Sequence, residues 1–109
     1  MEIRQSPEIT VILETVGGFA APTGPELLTV DWSRLMPAEA EILRRDLAAI
    51  PDTAWGAAFR APHPRSSDFH HRLRVGAGVL ERFVAFDSGQ GPDVVRRVAE
   101  FVMDHGSPD

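Results

Sequence analysis

The chain has 109 residues, 43 % hydrophobic and 25 % charged, so it can bury one sizeable core and is too apolar to stay disordered. Its net charge of −5 at pH 7 disfavours nonspecific nucleic-acid binding and gives no pull towards anionic membranes. With no cysteine, disulfides, thiolate catalysis and thiolate metal sites are excluded together. What remains is a protein or a small molecule as partner.

The opening stretch MEIRQSPEITVILETV carries neither the basic start nor the apolar stretch of a signal peptide, and no apolar run approaches a membrane span. The expectation is a soluble cytoplasmic protein. Residues 1–7 read as a loose tail. Ile9, Val11 and Leu13 then recur at the period of two and predict a first strand over 8–16. A segment rich in glycine and proline follows over 17–25, and ELLTVDW predicts a second strand over 26–32.

Beyond Ser33 the period changes. Pro37 suits a first helical turn, and Glu39 and Glu41 lie near its positive end. Ala40, Leu43, Leu47 and Ile50 make one apolar stripe, with Arg44, Arg45 and Asp46 facing water and Pro51 as the stop. Trp32 is placed against this helix. Residues 52–67 read as one long irregular loop, with Trp55 plugging the core beneath it.

The clearest local pattern is DFHHRLRVGAGVLERFVAFD. Phe69, His71, Leu73 and Val75 share one face, GAG at 76–78 turns the chain, and Leu80, Val84 and Phe86 share a face on the return. Arg82 is the polar exception there. Pro92 opens a second helix with a stripe of Val94 or Val95, Val98, Phe101 and Val102, and Gly106 stands where a cap belongs. Residues 106–109 read as a second loose tail. The order ββαββα predicts an α+β domain: a four-stranded antiparallel sheet packed by two main helices.

No catalytic constellation stands out. The serines lie outside GxSxG and SxxK, and neither GAG nor GQG has a phosphate-loop pattern. His70 and His71 are adjacent in a strand and leave opposite faces. His63, Asp68 and His71 are the one combination able to converge on a metal or ligand, at a spacing that matches no metal template. The reading is a binding protein rather than an enzyme, with no cofactor and no metal of its own.

The stretch VILETVGGFAA resembles the N-terminal signature of the protealysin inhibitor emfourin family, through Val11, Leu13, Glu14, Gly17, Gly18, Phe19 and Ala20. The later helix, the hairpin FHHRLRVGAGVLERFVAFD and the proline-led helix GPDVVRRVAEFV follow in the same order, so the resemblance runs over residues 9–103. Two positions depart from it: Ala21, followed by Pro22, stands where a small residue, commonly Gly, is usual, and His71 stands where Tyr is frequent. The resemblance implies an inhibitor of thermolysin-like (M4) zinc metalloproteases, monomeric when free, with the zinc belonging to the target.

The residues add a physical account. Gly17 and Gly18 allow a close backbone approach, Phe19 supplies a large apolar anchor, and Pro22 and Pro25 stiffen the downstream arm. Gly17, Gly18, Phe19, Ala20, Ala21 and Pro22 are thus the candidate partner-binding segment; the alternative is that Phe19 folds back on the sheet edge. Phe59, Arg60, His63 and Arg65 are candidate secondary contacts. Two rival readings stand beside this one: a small metal- or ligand-binding domain on His63, Asp68 and His71, and a self-assembling module pairing through its sheet face.

Overall fold

A computed structural model describes residues 9–17, 26–62, 69–77 and 80–108. The β-branched run after Pro7 forms β1 (Ile9–Gly17), which pairs antiparallel with β2 (Glu26–Thr29) on one side and β4 (Phe69–Ala77) on the other. Alternation along β1 decides what is buried. Val11 and Leu13 are sealed, whereas Thr10 is exposed and Ile12 and Glu14 are half-buried.

β4 pairs antiparallel with β5 (Leu80–Asp87), and the register stacks Leu13, Leu73 and Val84 side by side. All three are fully buried. Each such side chain contributes about 1.5–3 kcal/mol by leaving water. α1 (Pro37–Ala49) and α2 (Asp93–His105) cover this face. Leu43 of α1 and Val95, Val98 and Val102 of α2 close the core over the strands. The helical stripes thus lie as their spacing predicts. Asp46 departs from it: expected in water, it is half-buried, and its carboxylate lies 3.7 Å from Arg97 of α2.

Among the described residues the sheet has six strands and is mixed, not the four-stranded antiparallel sheet expected; with β3 (Ala58–Phe59) and β6 (Ser107–Pro108) at its edges, its order is β3-β5-β4-β1-β2-β6. Both additions are two-residue edge strands, too short to leave a periodic pattern in the sequence. β3 (Ala58–Phe59) runs parallel to β5 and lies inside the stretch expected to be irregular. It is secured by Gly56 N–H donating to Phe83 O (2.6 Å) and Ala85 N–H donating to Ala57 O (3.0 Å). A 3-10 turn over Asp52–Ala54 precedes it.

β6 (Ser107–Pro108) pairs with Thr29 and Leu28, so residues 107 and 108 are not a loose tail. Gly106 permits this return. A Cβ there would stand 2.6 Å from Val102 O and 3.3 Å from Leu28 Cβ, a gap only glycine fits.

Strand 2 is shorter than expected, ending at Thr29 instead of Trp32. Asp31 accepts from Ser33 N–H (3.0 Å) and Ser33 Oγ (2.7 Å), which turns the chain into a 3-10 segment over Trp32–Arg34. Trp32 then donates its indole N–H to Ile9 O (2.6 Å), and Arg44 of α1 lies over its ring. In the central hairpin, Gly76 and Ala77 continue β4 rather than forming the turn, pairing with Glu81 and Leu80. No described helix is long and apolar enough to cross a membrane.

Candidate functional site

β1 runs antiparallel to β4, so its last residue, Gly17, lies opposite the first residue of β4, Phe69. Gly17 has φ +112°, a conformation that a side chain disfavours, and so fits the change of direction at the strand's end. Gly18, Phe19, Ala20, Ala21 and Pro22 lie outside the described residues, as do His63, Arg65 and Asp68. What the structure describes is the platform from which both candidate segments depart.

That platform is organised by Asp87, which closes β5 beside His70 of β4. Asp87 is 1 % exposed, and the segment just after β3 meets its carboxylate. It accepts from Ala61 N–H at 2.7 Å, lies 2.7 Å from His70 Nδ1, and meets the Arg60 guanidinium at 3.4 Å. The Ala61 amide, first, and then His70 hold the Asp87 carboxyl below the usual carboxylate range. A buried anion so satisfied fixes the exit of β3 against the ends of β4 and β5. Four neighbouring strands therefore bring Gly17, Phe69, Asp87 and Arg60 to one end of the sheet.

The open face here carries a shallow depression of about 140 Å³ whose lining includes Glu14, Val16, Arg60, His70, His71 and Arg72. Val16 is 43 % exposed, and Arg72 lies 4.0 Å from Glu14. Arg60 is largely exposed, as a rim contact requires. Phe59 is not: it is half-buried and packs against the core beside Gly91, where a Cβ would stand 3.4 Å from its ring. The parallel pairing of β3 with β5 turns its ring to the core-facing side.

His71 also points inward, on the face opposite to His70. Its Nδ1 lies 3.0 Å from Thr15 Oγ1, its Nε2 3.4 Å from Ser88 Oγ, and its ring is tilted against Phe86 at 5.0 Å. Burial, helped by neighbouring His70, pushes its pKa down from the ordinary value and favours the neutral ring. Ser88 Oγ lies 3.3 Å from Phe69 O, which accepts its proton. This hydroxyl–imidazole–hydroxyl chain satisfies a buried ring, and among the described residues neither ring nitrogen of His71 is bonded to a carboxylate. Among the described residues no three His, Cys, Asp or Glu converge as a metal site.

Asp87 escapes sequence reasoning. It closes the hairpin pattern DFHHRLRVGAGVLERFVAFD, where only its strand parity with Ala85 links it to the face of His70. Trp55 is half-buried against the core, as expected, but Arg82 lies over its ring at 5.9 Å, where it lines a groove at the far end of the sheet.

Comparison with family models, with curated proteins and with solved structures yields no match to this chain.

Proposed function

We propose that this protein is an inhibitor of thermolysin-like zinc metalloproteases that fills the target's cleft with the Gly-Gly-Phe-Ala segment. The observation that carries the reading is the common end of the sheet at which Gly17 and Arg60 stand. A cleft-blocking protein needs its contact segments anchored on a rigid frame, because ordering on binding then costs less. β1 supplies that frame for Gly17, since Val11 and Leu13 in the same strand are sealed in the core. Asp87 supplies it for Arg60.

In this mechanism Phe19 enters the hydrophobic pocket that M4 enzymes offer to the residue after the scissile bond. Gly17 and Gly18 let the main chain approach the cleft walls. Arg60, with His63 and Arg65, meets acidic surface at the rim, where a charge pair adds more to association rate than to affinity. No chemistry is required of the inhibitor, and the only zinc involved is the enzyme's. The resemblance of VILETVGGFAA to the emfourin signature supports the same reading.

The test is a titration of thermolysin-like proteases with the purified full chain, with a serine protease as control. Inhibition of the metalloproteases alone is expected, and Phe19→Ala should weaken it by roughly tenfold or more, as loss of an aromatic anchor does. Failure to inhibit several M4 enzymes rejects the function. Full potency of folded Phe19→Ala rejects the anchor.

A further inference from the structure

The sheet's other end holds a groove. There the helix layer stops short while β1, β4 and β5 continue: Leu80 is 68 % exposed, and Ile9 and Val75 are half-buried although they share the core-facing side. Between this overhang and α1 lies a groove of about 440 Å³. Ile9, Leu47, Trp55, Val75 and Leu80 give it an apolar floor and walls. The size and lining match those of small-molecule sites, which are mostly apolar with a few placed polar groups.

The polar groups here are cationic. Arg44 enters from α1 and Arg82 from β5. Each guanidinium lies over an indole, Arg44 over Trp32 at 5.3 Å and Arg82 over Trp55 at 5.9 Å. Stacking of this kind holds the planar cation in place while its edge N–H groups keep their capacity to donate. Among the described residues neither forms an ion pair, and Asp52 is the one carboxylate lining the groove. Two cations on an apolar trough, in a chain of net charge −5, are a local reversal of sign.

We propose that this groove binds a medium-chain aliphatic carboxylate, its tail along Ile9, Val75 and Leu80 and its head drawn to Arg44 and Arg82. Charge complementarity selects an anion, and the apolar trough selects a chain. The footprint argues against a protein occupant. Ten described residues line the groove, whereas a stable protein interface engages roughly 20–30 residues a side. The site lies at the opposite end of the sheet from Gly17, and the inference does not rest on the protease reading.

The full chain is titrated with dodecanoate below its micelle concentration, followed by tryptophan fluorescence and calorimetry. Saturable binding at one site per chain is expected, with a change in emission because Trp55 lines the groove. Dodecyltrimethylammonium, with the same tail and the opposite charge, should bind about tenfold or more weakly. Arg44→Gln with Arg82→Gln should weaken dodecanoate by a similar factor. Leu80→Asp, at an exposed position that the fold does not need, should do the same with an unchanged circular dichroism spectrum.

Absence of saturable binding to the wild type overturns the proposal, as does equal binding of the cationic amphiphile or indifference to all three substitutions. Concentration-dependent dimerisation abolished by Leu80→Asp, without dodecanoate binding, reassigns the groove to a second copy and equally overturns it. A protein that takes up dodecanoate yet leaves every protease active supports this site and rejects the inhibitor.

Discussion

Replacing Asp87 by alanine removes the group that joins three strands' ends, and its cost can be worked from the contacts. The carboxylate accepts from Ala61 N–H at 2.7 Å, lies 2.7 Å from His70 Nδ1 and reaches Arg60 at 3.4 Å. Hydrogen bonds to a charged acceptor contribute about 1.5–3 kcal/mol each, but His70 and Arg60 are part-exposed and recover water when released. The Ala61 amide bond therefore dominates, and the net loss is about 2–3 kcal/mol, roughly a 30- to 150-fold fall in the folded-to-unfolded ratio. Urea unfolding at pH 7 should show a midpoint lower by about 1–2 M.

The pH dependence gives a sharper check. Because the native Asp87 carboxyl is held below its ordinary value, its stabilisation is complete above the ordinary aspartate pKa of about 3.9 and drains as pH falls through the lowered native value. The gap between wild type and Asp87→Ala should thus close in acid. A variant within about 0.5 kcal/mol of wild type at pH 7, or a gap that persists in acid, would refute the reasoning.

His71 runs over a different window. Its native pKa lies below the ordinary value of about 6.5, so the neutral ring's contribution is whole above that pH and is lost as pH falls towards the native value. Thermal melts of His71→Leu against wild type between pH 7.5 and 5 should show the wild type losing its lead as acid is added. Leu73→Ala, at the centre of the sheet between Leu13 and Val84, should cost about 2–5 kcal/mol in urea unfolding. Gly106→Ala drives a Cβ into Val102 O and Leu28, and should cost about 1–3 kcal/mol, read as a lower Tm, with Ser107 and Pro108 losing amide or proteolytic protection.

The local elements were legible in the residues because their signals are local. The period of two in Ile9, Val11 and Leu13 marks β1, and the spacing of Leu43, Leu47 and Ile50, or of Val95, Val98 and Val102, marks a buried helical stripe. Pro37 and Pro92 fix where each helix begins. Even Arg82 declared itself as the exception on an apolar face, although its indole partner did not. These patterns are enough for an α+β class, since strands with one apolar face and helices with one apolar stripe must bury them together.

Only the tertiary structure decided the edges and the sites. Ala58–Phe59 and Ser107–Pro108 become strands because β5 and β2 offer them unpaired backbone groups, and two residues carry no period of their own. Asp87 is only the polar end of a strand pattern until the fold lays Ala61 and His70 against it. The groove draws Ile9, Arg44, Trp55, Val75 and Arg82 from separate parts of the chain. Such convergence is a property of long-range packing, and a pattern read along neighbouring residues contains no record of which distant ones will meet.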